Sequence, residues 1–416
     1  MIALQDRLAG RARGKEPSPI RELLKYLKIE GMISLGGGYP NPETFVFDRL
    51  DVRFKGGTSA VLEGDDLVAA SQYGPSDSHA GLRTRLIEWH RSKDGVSLDS
   101  SQLVVLNGCQ EGLFIAAYLL TDEDDSIALS EPAYPGALSA FRSFTRRFVP
   151  VPLDERGMDV EALDTALAAI RDDGGRLPKF IYTVPSGHNP GGVALSQERK
   201  RRLLEIASRY DLLVLEDDPY QLVRLDGSDP PPTIQSMDAE GRVVRLDSFS
   251  KVFAPGLRIG YASGPPEIIR QFVLFKQSSN LHTSMFIQAV LEKYMAAAGQ
   301  DGFREHIREN CRLYRENRDA MIEAAREHLP AEVSYNVPNE GMFVWFVLPE
   351  GCDARRMIDE RCEELRVLLV PGSAFSTTGG LANSMRASFS MVSPDRIREG
   401  MRRFGEMITT EMNRTQ

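Results

Sequence analysis

Between residues 103 and 247, short apolar runs alternate with stretches whose apolar residues recur every three or four positions. The runs cover 103–107, 126–130, 179–184, 212–215 and 243–247. The clearest, Leu103-Val104-Val105-Leu106, is unbroken and reads as a strand buried on both faces. Between them, 108–120 and 196–210 carry helical spacing, the second opened by a capping serine, Ser196. Repeated strand–helix alternation predicts a mostly parallel sheet with helices on both faces: an α/β fold. In such sheets ligands sit at the carboxyl ends of strands. Each run here ends in a polar, Gly- or Pro-rich cluster. These are Asn107-Gly108-Cys109-Gln110, Glu131-Pro132-Ala133-Tyr134, Pro185 to Gly192, Glu216-Asp217-Asp218-Pro219-Tyr220 and Ser248 to Arg258.

The flanks differ. Pro17-Ser18-Pro19 precedes a short helical pattern over 20–27, with Arg21 in its first turn. A short strand at 33–35 runs into the loop Gly36-Gly37-Gly38-Tyr39-Pro40. Tyr73-Gly74-Pro75 is a turn before a helix at 81–90. After Pro265 long helical patterns cover 266–298 and 301–328. Antiparallel strands at 333–337 and 342–348, a helix at 354–365, a strand at 367–370 and a helix at 394–409 then predict a smaller α+β part. Arg386 falls on an alternating strand, Met385-Arg386-Ala387-Ser388. The expected division is an arm at 1–45, a large domain at 46–285 and a small domain at 286–416.

Length agrees, since 416 residues exceed one small core. Hydrophobic content of 42% and charged content of 26% are those of an ordinary globular protein. A net charge of −9 without a basic tract argues against nucleic acid as a partner. The 4 cysteines have no metal-type spacing and read as free thiols in a reducing, cytoplasmic compartment. No metal site is expected. No apolar run reaches about 18 residues, and the first ten lack a signal-type core, so neither membrane nor export is expected.

The chemistry concentrates at Ser248-Phe249-Ser250-Lys251 and Arg258. A lysine at a strand end beside a second cation is disfavoured as an ammonium and becomes nucleophilic. Two hydroxyls and a guanidinium suit a phosphate. A glycine turn into a helix, as at Gly108, also presents amides to anions. Each feature alone is also what a solvated turn contains.

Taken together, the strings LGGGYPNP, YGPS, NGCQEG, EPAYPG, VPSGHNPGG, EDDPY, SFSKVFAPGLRIGY and MRASFS resemble the fold-type I pyridoxal-phosphate aminotransferases of class I/II. The resemblance is strongest to the α-aminoadipate/aromatic/kynurenine branch, runs from near residue 35 to 390, and implies a large domain with a mostly parallel, seven-stranded-type sheet beside a smaller α+β domain. It implies pyridoxal 5'-phosphate held as a Schiff base on Lys251, whose freed amine then moves protons. It implies Asp217 against the ring nitrogen, Asn189 and Tyr220 on the phenolic oxygen, and Tyr134 stacked on the ring. Gly108, Cys109, Gln110, Ser248, Ser250 and Arg258 would bind the phosphate, with Tyr73 reaching the neighbouring subunit's site in a homodimer. Arg386 would hold the substrate α-carboxylate, and Gly38, Tyr39, Arg21 and Asn189 would face the substrate. His188 reads as a loop residue rather than a base. Cys109 and Gly191 depart from the Ser and Thr often found there.

The resemblance implies transfer of an amino group from an L-amino acid to a 2-oxo acid such as 2-oxoglutarate, by a ping-pong cycle. An alternative keeps the cofactor but oxidises, substitutes at the β or γ carbon, or forms C–C bonds. A non-catalytic regulator on the same fold is a third reading, for which residues 1–30 offer too little chain for a DNA-binding segment.

Overall fold

The computed structural model describes residues 6–19, 26, 29–33, 35, 36 and 38–415. The helix expected at 20–27, with Arg21, lies outside them apart from Tyr26. In chain order the elements are β1 Arg49–Arg53, β2 Ser59–Glu63, α1 Gly64–Ser71, α2 Ala80–Asp94, β3 Leu103–Leu106, α3 Cys109–Leu120, β4 Ser126–Glu131, α4 Pro135–Phe141, β5 Arg147–Asp154 and β6 Gly157–Met158. There follow α5 Val160–Asp172, β7 Phe180–Thr183, α6 Gln197–Arg209, β8 Leu213–Asp217, α7 Ile234–Met237, β9 Val243–Ser248, β10 Gly260–Ser263, α8 Pro266–Ser278 and α9 Met285–His328. The last are β11 Ser334–Tyr335, β12 Phe343–Val347, α10 Ala354–Leu365, β13 Val370–Pro371, β14 Ser384–Ser388 and α11 Pro394–Thr415.

The chain divides into two compact units, Met1–Asp122 with Asp238–Glu305, and Glu123–Met237 with His306–Gln416. In the first, β10 lies between β3 and β9 and runs antiparallel to both. All four residues of β3 are buried, which is why the run Leu-Val-Val-Leu shows no alternation. Leu113, Ala117, Ile268 and Phe272 of α3 and α8 join that core. β1 and β2 form a separate antiparallel hairpin.

In the second unit the strand order is β8-β7-β4-β5-β6. β8, β7, β4 and β5 are mutually parallel and β6 turns back antiparallel. Asp159 caps α5 by accepting from the Glu161 and Ala162 amides, and Ser196 caps α6 by accepting from Arg199. A second sheet of order β11-β12-β14-β13 pairs Trp345 with Arg386 and Arg386 with Val370. Phe346 packs edge-on to Phe404 of α11 beneath it.

The expected helix at 266–298 is instead two, broken between Ser278 and Met285 where Leu281 adopts φ 65°. The second of them continues to His328 across a break at Gly299 (φ 64°, ψ 179°). No strand forms among the described residues of 33–35, and the strand at 367–370 shrinks to Val370–Pro371.

Candidate active site

The first unit gathers Gly108, Cys109, Gln110, Ser248, Ser250, Lys251 and Arg258. β3 ends at Leu106, Gly108 caps α3 with φ 81°, and the amides of the first helical turn face outward. Arg258 sits in the left-handed region, φ 53°, and its Nη2 donates to the Asn107 carbonyl at 3.3 Å. A Cβ on Gly108 would stand 2.9 Å from that same nitrogen, so only glycine lets the guanidinium lie against the turn. Gly260 is required for a similar reason, since its Cβ would meet the Asp247 carbonyl at 2.6 Å and Gly108 Cα at 3.0 Å. Ser248 Oγ donates to Ser250 Oγ at 3.0 Å and accepts the Ser250 amide at 3.1 Å, so both hydroxyls stand on one turn. Lys251 follows on that turn, half-buried. Two hydroxyls, a helix N-terminus and a guanidinium make a donor set that fits a phosphate monoester.

Tyr73, in the same unit, is exposed and packs edge-on to Tyr39 (6.3 Å) and His282 (6.2 Å). A Cβ at Gly38 would meet nothing within 4 Å, so packing does not demand glycine there.

The second unit gathers Asp217, Asn189, Tyr220, Tyr134 and Arg386. Asp217 ends β8, buried, and its Oδ2 accepts the Tyr182 hydroxyl at 2.9 Å. Asn189 Oδ1 accepts Arg386 Nη1 at 2.8 Å, and the same amide side chain hydrogen-bonds Tyr220. Burial raises the Tyr220 phenol well above its ordinary value, reinforced by Tyr134 and Asp217, while Arg386 and Asn189 oppose the rise. The Arg386 guanidinium lies 4.4 Å from the Phe343 ring centre and 5.1 Å from that of Phe375. Burial lowers its pKa, and its Nε is shielded from solvent with no hydrogen-bond partner among the described residues. A rigid cation with one edge pinned by an amide and a donor left over fits a carboxylate. Tyr134 precedes α4, and its ring covers Gly136, where any Cβ would overlap it.

His188 is fully buried. Its Nδ1 accepts the Gly191 amide at 3.2 Å and its Nε2 lies 3.2 Å from Ser130 Oγ. Burial alone pushes its pKa down to about 3, so the ring is neutral and Nε2 carries the proton. It therefore braces the loop carrying Asn189. Gly191 is explained by the same loop, because a Cβ there would overlap Leu153 Cδ2.

Three contributors escaped the sequence reading, and the work of a fourth, Glu131, was not assigned there. Tyr182 was hidden in the apolar run of β7, where its hydroxyl was the one available signal. Phe343 and Phe375 sandwich Arg386, although only tertiary structure brings their separate segments together. Glu131, at the end of β4, accepts from Ser376 Oγ at 2.6 Å and from the Thr377 amide at 2.9 Å, which anchors the loop bearing Phe375.

Residues 60–404 match the profile of the family described as Aminotransferase class I and II. The chain is 38% identical over 404 residues to aromatic-amino-acid aminotransferase 1 of Thermococcus litoralis, covering 97% of this chain and 94% of the relative. It is 34% identical to the mitochondrial kynurenine/alpha-aminoadipate aminotransferase of Mus musculus, covering 96% and 98%. Among solved structures it resembles the Pyrococcus horikoshii kynurenine aminotransferase in complex with PMP, with a TM-score of 0.79, 34% identity and coverage of 99% and 98%.

Proposed function

The chain belongs to the class I and II aminotransferases and is a pyridoxal-phosphate-dependent transferase of fold type I, and from that premise we propose its substrates and the work of each residue. The donor is an aromatic or 2-aminoadipate-like L-amino acid, and the acceptor is a 2-oxo acid such as 2-oxoglutarate, used in a ping-pong cycle. The names of the relatives support that range. The carrying observation is Arg386, held by Asn189 between two phenyl rings with a donor to spare.

Pyridoxal phosphate, when bound, supplies a carbonyl for the amine and a ring that accepts electrons from the substrate Cα. Lys251 would anchor it covalently, and its freed amine would carry the proton from the substrate Cα to the cofactor and back. Asp217 would keep the ring nitrogen protonated, its carboxylate oriented by the Tyr182 hydroxyl. Asn189 and Tyr220 would donate toward the phenolic oxygen. Tyr134 would stack on the ring. The amides of Gly108, Cys109 and Gln110, the hydroxyls of Ser248 and Ser250, and Arg258 bind the phosphate. The Cys109 departure costs one hydroxyl from this set and no amide. Arg386 fixes the α-carboxylate as a bidentate partner. Gly38 and Tyr39 would face the substrate side chain; Arg21, expected there too, lies outside the described residues.

A second copy of the chain completes the enzyme on this reading, with Tyr73 reaching its partner's phosphate. Ile33, Leu35 and Val46 are 84%, 95% and 88% exposed in the single chain, which suits burial against a second copy. The functional division is the arm 1–45, the cofactor-binding domain 46–285 and the small domain 286–416. A cytoplasmic location accords with four free cysteines and with no described helix long and apolar enough to cross a membrane.

A panel of L-amino acids added to the yellow holoenzyme tests this. Aromatic amino acids or 2-aminoadipate should convert its absorbance to that of the pyridoxamine form and release their 2-oxo acids, and 2-oxoglutarate should reverse the change. No 2-oxo acid from any of them would refute the proposal.

A further inference from the structure

The turn closing β3 rests on a buried ion pair that none of the roles above uses. Glu111, in the first turn of α3, accepts the Asn107 amide through Oε2 at 2.6 Å. Lys276 Nζ, from the last turn of α8, meets the same oxygen at 3.2 Å and donates to Thr283 Oγ1 at 3.0 Å. Thr283 Oγ1 in turn donates to the Val105 carbonyl on β3 at 3.3 Å. Asn280 donates to Glu111 Oε1. The Lys276 side chain is 0% exposed and burial lowers its pKa, while Glu111 opposes that shift.

A lysine removed wholly from water is costly unless a counter-ion meets it. Here the counter-ion is placed where it matters. A carboxylate in the first turn of α3 enjoys the positive end of the helix dipole, yet it repels any second anion presented to the same amides. Lys276 cancels that charge from the protein side, and Glu111 tethers Asn107 one residue before Gly108.

We propose that Lys276 is a positioning residue for the cofactor phosphate, acting through Glu111: it neutralises the carboxylate behind the Asn107–Gly108 turn so that the helix N-terminus can accept a dianion. This rests on assigning residues 108–110 to the phosphate. Lys276→Met leaves Glu111 unscreened and should weaken pyridoxal phosphate binding on the order of tenfold or more. Glu111→Gln keeps an acceptor for the Asn107 amide while removing the charge. The double variant should therefore recover most of the loss, and Glu111→Gln alone should bind at least as tightly as the parent.

Serial dilution of each holoenzyme, followed at the cofactor absorbance, yields the dissociation constant. A parallel titration with pyridoxal, which lacks the phosphate, should show much less difference between the proteins. Parent-like affinity in Lys276→Met, no recovery in the double variant, or an equal loss for pyridoxal would each overturn the proposal. Should Lys276→Met fail to fold, tenfold weaker binding by Glu111→Gln alone would do the same. A parent protein that bound no pyridoxal phosphate would instead overturn the functional assignment itself.

Discussion

His188 provides a calculable acid sensitivity. Its buried imidazole has a pKa near 3, against an ordinary value of 6.5, with burial as the cause. The folded-state value is depressed, so the unfolded chain binds the extra proton at any pH between the two. The stability contributed by the neutral ring is complete above pH 6.5 and is lost as pH falls toward 3. Between pH 6.5 and 5 this spans one and a half pH units at about 1.4 kcal/mol each, so the loss is about 2 kcal/mol. Geometry adds to the effect, because a protonated Nδ1 would point a hydrogen at the Gly191 amide it now accepts from. His188→Gln removes the titration while keeping an acceptor for Gly191 and a donor for Ser130. Guanidinium unfolding at pH 7, 6 and 5, read by tryptophan fluorescence, compares the two holoenzymes. Trp345 lies in the same unit as His188 and reports on it. His90, also depressed by burial, to about 4, titrates alike in both proteins and cancels in the difference. The parent should lose about 2 kcal/mol more than His188→Gln between pH 7 and pH 5. Parallel profiles would show that His188 does not carry a buried neutral ring.

Tyr182→Phe removes the 2.9 Å hydrogen bond to Asp217 without changing core volume. Hydrogen bonds to charged groups are worth about 1.5–3 kcal/mol, so kcat should fall about tenfold or more with KM nearly constant; steady-state rates equal to the parent's would remove Tyr182 from the mechanism. Gly191→Ala drives a methyl into Leu153 and should cost about 1–3 kcal/mol in denaturant unfolding. The clash is with a side-chain end, so adding Leu153→Ala should recover most of that cost, and additive losses would contradict the packing argument.

Residue types and their spacing determined much of this protein. The runs that became β3, β7 and β8 were legible because burial on both faces leaves a largely apolar signature, whereas β9 hides the ion pair of Arg245 and Asp247 in its buried middle. The polar clusters at their ends were legible because that is where such sheets place ligands. Helix α6 announced itself by Ser196 at its cap. The β1–β2 hairpin and β5 were not legible. β1 alternates, Arg-Leu-Asp-Val-Arg, but is only five residues long and mostly exposed, and β5 is interrupted by Pro150 and Pro152. Tertiary structure alone decided the rest. It placed Tyr182 on Asp217, closed Phe343 and Phe375 around Arg386, buried His188 under the Asn189 loop and set Lys276 behind Glu111. Those contacts join residues far apart in the chain, and local periodicity holds no record of them. A chain's pattern records whether a position faces water; which distant side chain meets it there depends on how the packed elements close.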